Sequence, residues 1–151
     1  MRTALLVAVA LVLVASLALI VRFVTLAKIS QDRAGRSLSP DLGASPLAAC
    51  PNQPGCARRE VAGSELDGAL ESLRANLERA PRTRIVRVSP TYLRAEVRSR
   101  LFGFVDDVEA RLDPVSGQLE LRSASRVGKS DLGVNGARLD RLLKALLGAG
   151  T

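Results

Sequence analysis

The spacing of apolar and polar positions changes several times along this chain, and each change marks a different kind of element. Residues 4–21 show no period at all: eighteen positions carry one polar side chain, Ser16, and the apolar character resumes after Arg22 with Phe23, Val24, Leu26 and Ala27. A helix rising about 1.5 Å per residue over such a run crosses hydrocarbon about 30 Å thick. Residues 1–28 are therefore expected to be a transmembrane anchor. The competing reading is a cleaved signal peptide, whose apolar region is about 7 to 15 residues and ends at a small-residue site. Here the run is longer and is followed by Arg22 and Phe23. The tetrapeptide Leu47-Ala48-Ala49-Cys50 fits a lipoprotein cleavage box, but a long polar stretch separates it from the apolar run, so Cys50 is expected to stay in the chain. Residues 29–49 turn to Ser, Pro, Gly and Ala without a period, which predicts a flexible tether, and residues 50–148 form the expected globular domain.

Within that domain the period is first 3.6, then 2, then 3.6 again. Leu66, Leu70, Leu73 and Leu77 predict a helix over 64–79, with Ser64 and Asp67 as a capping box and Pro81 as its stop. Glu71, Arg74 and Glu78 form its wet face. Strands are predicted over 83–89, 92–101, 104–112 and 118–127. The Asp-Pro-Val-Ser-Gly run at 113–117 supplies turn chemistry between the last two. Their register can be set by charge: Leu112 faces Leu119, Ala110 faces Leu121, Val108 faces Ser123, Asp106 faces Ser125 and Phe104 faces Val127 on the inner side. Arg111 then meets Glu120, and Glu109 meets Arg122, on the outer side. For the preceding hairpin two registers survive. A two-residue turn sets Arg98 against Asp107 and Glu96 against Glu109, whereas a four-residue loop sets Arg98 against Glu109 and Glu96 against Arg111. A last helix is predicted over 136–147, capped by Asn135 and stopped by Gly148. The expected fold is α+β: a transmembrane helix, then a small antiparallel sheet of three to four strands with two helices packed on one face.

Charge and composition narrow the function classes. The net charge is +7, but five of the 22 basic groups and one of the 15 acidic ones lie before residue 37, so the globular part is only mildly basic. Four aromatic residues leave few stacking platforms, and no nucleic-acid partner is expected. The expected partner is the lipid bilayer, with anionic head groups near Arg22, Lys28, Arg33 and Arg36. Lys and Arg counted around the span favour a cytoplasmic C-terminal domain. The isolated pair Cys50 and Cys56 points the other way, to a disulfide in an oxidising compartment. We expect a single-pass protein of the bacterial inner membrane with a periplasmic domain. With no histidine in the chain, no metal site and no cofactor are expected.

Four polar residues fall on the apolar side of the predicted sheet: Ser99, Asp106, Ser123 and Ser125. A carboxylate turned inward needs partners, so Asp106 is expected to accept hydrogen bonds from Ser125, from Arg126 or Arg138, or from backbone amides. As a site, Asp106 would belong to a polar pocket roofed by Gly128, Lys129, Ser130, Asp131, Gly133 and Asn135. As a brace, it would pin that loop, with Gly128 and Gly133 in conformations other residues resist. The candidate cluster, for ligand or structure, is Asp106, Ser123, Ser125, Arg126, Ser130, Asp131, Asn135 and Arg138. No general base of the His type, phosphate loop or nucleophile elbow is present, and no catalytic residue is assigned.

Four stretches carry a resemblance: Cys-Pro-Asn-Gln-Pro-Gly-Cys at 50–56, Phe-Val-Asp-Asp at 104–107, Arg-Ser-Ala-Ser-Arg-Val-Gly at 122–128 and Ser-Asp-Leu-Gly-Val-Asn-Gly-Ala-Arg at 130–138. The chain resembles the uncharacterised bacterial and plastid family called domain of unknown function 1499, over roughly residues 50–147. That family often carries Asn at the position of Gly55 and an aromatic residue at that of Lys129. The resemblance implies the domain boundaries and no mechanism. The expected function is a membrane-anchored, non-catalytic binding or envelope-associated module. The alternatives are a hydrolase or transferase built on Asp106, Arg126 and Asp131, and a scaffold that only positions other proteins.

Overall fold

The apolar N-terminal run is helical throughout. In the computed structural model, which describes residues 2–32, 47–50, 54–62, 66, 68–128 and 130–148, helix α1 (Arg2–Asp32) is long and apolar enough to cross a membrane. It runs past residue 28 into the segment expected as tether; residues 33–46, with Arg33 and Arg36, lie outside the described residues. After strand β1 (Cys56–Ala62) come helix α2 (Ala69–Arg79), strands β2 (Thr83–Ser89), β3 (Tyr92–Arg98), β4 (Val105–Asp113) and β5 (Gln118–Ser125), and helix α3 (Val134–Leu147). The strands form one antiparallel sheet in the order β1-β5-β4-β3-β2. The fold is α+β as expected, with five strands where three to four were predicted.

Strand β1 is the added one. Its charged run Arg58, Arg59 and Glu60 hides the period of 2, and its pairing sets Arg58 opposite Arg122 and Glu60 opposite Glu120. Like charges in register are unfavourable. Here other pairs resolve them, since Arg58 reaches Glu60 on its own strand and Glu120 on the diagonal, both at 2.8 Å, and Arg122 reaches Glu109, opposite it on β4, at 3.1 Å. Next to this strand, Cys50 and Cys56 form a disulfide with Cα atoms 5.5 Å apart.

One face of the sheet carries α2 and α3. Leu73 and Leu77 from α2 and Leu139 and Leu142 from α3 close over Leu93, Ala95, Val108, Ala110, Leu119 and Leu121. Helix α2 starts at Ala69, with Gly68 as N-cap, rather than at residue 64; Ser64 and Asp67 lie outside the described residues. The β4–β5 register is the expected one at every strand position, from Asp106 opposite Ser125 to Leu112 opposite Leu119; Phe104 and Val127 lie beyond the strand ends.

The β3–β4 hairpin takes neither of the two expected registers. Arg94 stands opposite Glu109 and Glu96 opposite Asp107, and a loop from Ser99 to Phe104 closes on a Ser99 N–H bond to the Phe104 carbonyl at 2.8 Å. Two carboxylates face each other because Arg126 lies between them. Its Nε donates to Asp107 Oδ2 at 2.8 Å, and its Nη2 donates to Asp107 Oδ1 at 2.8 Å and to Glu96 Oε1 at 2.5 Å.

The second face of the sheet, the outer side of the sequence reading, is thus largely buried. Asp107 and Glu109 are fully buried, and Tyr92, Glu96, Glu120, Arg122 and Arg126 nearly so. Tyr92 donates its hydroxyl to Glu109 at 2.7 Å, and Leu47 N–H and Arg58 both bond to the Glu120 carboxylate. The end of α1 docks here too. Ser30 is buried, its Oγ accepts the Val105 N–H at 2.8 Å, and Arg126 Nη1 donates to the carbonyls of Ser30 and Gln31. A cation at a helix C-terminus also complements its dipole.

Removing a partner from a buried pair leaves uncompensated charge, at a cost of about 3 to 5 kcal/mol. Arg126→Met is therefore expected to destabilise the full-length, detergent-solubilised protein by that amount in chemical denaturation. Burial alone would raise the Glu96 carboxyl, but hydrogen bonds from Arg84 and Arg126 outweigh it and hold the group below its ordinary value of 4.5. Its contribution is then complete above that value and is lost as pH falls below it, through the lower value the folded state sets. Thermal unfolding from pH 7 to pH 3 is expected to show a smaller loss of midpoint in Glu96→Gln than in the natural protein.

Candidate functional site

The β4–β5 ladder places Asp106 and Ser125 side by side on the helix-covered face, at the end of the sheet where α3 begins. Asp106 Oδ1 accepts the Ser125 hydroxyl at 2.6 Å, and Oδ2 accepts Arg138 Nη2 at 2.8 Å. Asn135, fully buried, is the node of the cluster. Its Oδ1 accepts Ser123 Oγ at 2.6 Å and Arg138 Nη1 at 2.5 Å, and its Nδ2 donates to Ser125 Oγ and to the Gly55 carbonyl in the cysteine turn. Asn135 lies inside the first turn of α3, not at its cap; Gly133 occupies the cap, with a left-handed φ of 78°.

Five of the eight expected cluster residues thus meet: Asp106, Ser123, Ser125, Asn135 and Arg138. Three do not. Asp131 spends its carboxylate on the start of α3, accepting the N–H groups of Gly133 and Asn135. Ser130, exposed, accepts the Leu132 N–H at 3.3 Å. Arg126 turns to the opposite face, because successive side chains of a strand alternate and its partner is Asp107, the neighbour of Asp106. Asp106, Arg126 and Asp131 accordingly do not converge on one cavity.

Above this cluster lies a cleft of about 620 Å³, between the end of α2, the start of β2, the end of β3 and the outer side of α3. Its volume is that of a small-ligand site. Leu77, Ala80, Val97, Leu142 and Ala145 form apolar walls, and five arginines line it: Arg82, Arg98, Arg100, Arg138 and Arg141. None of its lining residues is acidic. Among the described residues Arg82, Arg98, Arg100 and Arg141 form no ion pair, and all four are exposed. Arg82 is also held in the left-handed region, at φ 58°, in the turn between α2 and β2; its carbonyl accepts the Arg98 N–H at 3.0 Å and its Nε donates back to the Arg98 carbonyl. Such a conformation costs a residue with a Cβ about 1 to 2 kcal/mol.

The sequence profile of a family described as "Protein of unknown function (DUF1499)" matches residues 46–146. The chain belongs to that family. The match spans β1 to α3, so the arginine cleft and the Asp106 cluster both lie within the DUF1499 domain, while α1 precedes it. No curated protein matches the chain.

The cleft was not visible in sequence because its arginines come from a turn, a strand end, a hairpin loop and a helix. Only Arg138 and Arg141, three apart on α3, share an element. Chemically the cleft can hold a negative charge against an apolar wall. Thr83, Ser99 and Asn76 are its uncharged polar lining, and none of them is paired with a base there. Asp106→Asn keeps the shape of the cluster but removes a charge-assisted bond to Arg138, worth about 1.5 to 3 kcal/mol. Chemical denaturation of the full-length variant is expected to show a loss of that size with the fold retained.

Proposed function

We propose that this protein is a single-span membrane protein whose α+β domain sits outside the cytoplasm and binds an anionic amphiphile without transforming it. The observation that carries this reading is the cleft with apolar walls and five arginines, of which only Arg138 has an ion pair among the described residues, with Asp106. Guanidinium groups bind phosphate and carboxylate with paired donors, and the apolar walls suit a hydrocarbon portion. The Cys50–Cys56 disulfide supports an oxidising compartment, and α1 supports membrane attachment. Bound lipid head groups near Arg22 and Lys28 would hold the same class of ligand close to the domain.

The cleft lining offers no base to activate the Thr83 or Ser99 hydroxyl, which favours binding over the hydrolase or transferase reading. The test is titration of the full-length protein in zwitterionic-lipid nanodiscs with short-chain phosphatidylglycerol, and with short-chain phosphatidylcholine as the control. Binding of the anionic lipid is expected to weaken about tenfold in Arg141→Ala, the loss of one charged contact. In Arg82→Gly it is expected to weaken comparably while stability stays level or rises, since glycine adopts the left-handed conformation without strain. Equal affinity for both lipids, or unchanged affinity in both variants, would refute the reading. Alkaline phosphatase and fluorescent-protein fusions to the C-terminus check the compartment: phosphatase activity is expected, and fluorescence alone would place the domain in the cytoplasm.

A further inference from the structure

The β3–β4 loop carries two adjacent large apolar residues at its exposed tip. Leu101 is 82 % exposed and Phe102 42 % exposed, in a chain whose domain otherwise buries most of its large apolar side chains. A tip of this kind in free solution would be an unexplained exposure, but it is not free of neighbours. The Phe102 ring stacks on Phe23 of α1 with centroids 4.3 Å apart, and Phe104 completes the group at 6.4 Å from Phe23 and 5.6 Å from Phe102. These are all three phenylalanines of the chain. Beside the stack, Leu19, Ile20, Val24 and Ala27 of α1 and Leu101 and Phe102 of the tip line an open apolar groove of about 580 Å³.

Depth identifies what this groove meets. Counted from Ala4 at about 1.5 Å per residue, the 30 Å of a hydrocarbon layer ends near Phe23. Leu19 and Ile20 lie about one turn inside that boundary, and the tip packs at their level. The domain cannot swing the tip away, because the end of α1 is held by Ser30 on Val105 and by Arg126 on the Ser30 and Gln31 carbonyls. Charge agrees with apolarity. Arg98 and Arg100 flank the tip, both exposed, and Arg22 precedes Phe23 on α1, which places guanidinium groups at the height of lipid phosphates.

We propose that the β3–β4 tip is a second membrane anchor: Leu101 and Phe102 insert among the acyl chains beside α1, and Arg98 and Arg100 engage the head groups. The domain then rests on the bilayer in one orientation instead of hanging from it. This rests on α1 spanning the bilayer; Arg98 and Arg100 also line the arginine cleft, but insertion of Leu101 and Phe102 does not require that cleft to hold a ligand.

The chain has no tryptophan, so a single introduced indole reports its own surroundings. Leu101→Trp in the full-length protein, reconstituted into bilayers, is expected to emit at shorter wavelength than Val115→Trp, placed at the 94 % exposed β4–β5 turn. It is also expected to lose most of its intensity when the lipids carry bromine near the top of their acyl chains, while Val115→Trp is unaffected. Phe102→Trp, which keeps an aromatic ring on Phe23, is expected to behave as Leu101→Trp and covers the case in which that variant misfolds. Leu13→Trp separates the two assumptions, since quenching there by lipids brominated deep in the chain shows that α1 is inserted. With α1 inserted, tip variants that emit like Val115→Trp overturn the proposal. So does a blue-shifted tip that lipid bromine leaves unquenched, which would assign the tip to a protein contact.

Discussion

One buried cation ties together parts of this molecule that lie far apart in the chain. Arg126 holds Asp107 with two nitrogens, Glu96 with one of the same two, and the last carbonyls of α1 with the third. Only a planar fork of donors can satisfy so many acceptors at once; a lysine ammonium could not. Hydrogen bonds donated to Asp107 and Glu96 raise the guanidinium well above its ordinary range against the opposing effect of burial, so it stays charged. The β3 register follows from this cation. Glu96 opposite Asp107 is a poor cross-strand pair on its own and a good one with a guanidinium between them.

The same cation explains why the sheet has two buried faces of opposite character. The helix side is closed by leucine, alanine and valine. On the other side charges take the place of apolar packing, each with a partner: Tyr92 and Arg122 on Glu109, Arg58 on Glu120, Arg84 on Glu96. Burial and the bond to Glu109 push the Tyr92 hydroxyl well above its usual range, so it remains a donor. A network of this kind adds little net stability compared with an apolar core, but it penalises every arrangement that leaves one member unpaired. It therefore specifies how the domain sits on α1, and with that the height of the β3–β4 tip and the direction in which the arginine cleft opens.

Much of the domain was legible because the relevant forces act between near neighbours. The β4–β5 register followed from a short turn and two opposite-charge pairs, and it carried Asp106 to Ser125 correctly. The apolar run of α1 and the leucine stripes of α2 and α3 needed only periodicity. What failed has a common cause. Strand β1 was hidden because its charges face other charges, and the β3 register missed because a residue outside the hairpin sets it. Arg126 was expected among the partners of Asp106, but it follows Ser125 directly, so its side chain turns to the far face, where Asp107 is in reach.

The sequence by itself determined an N-terminal helix long and apolar enough to cross a membrane, the order of helices and strands from α2 onward, the cysteine pair and the inward turn of Asp106, all of which depend on residues a few positions apart or on one hairpin. The tertiary structure alone decided that the second face is buried, that Arg126 clasps the end of α1, and that five arginines from four segments share one cleft. The physical reason is range. Periodicity and turn chemistry are local properties of the backbone, whereas the pairing of a buried charge is settled by whichever opposite group the folded chain brings within about 3 Å, at any distance along the sequence.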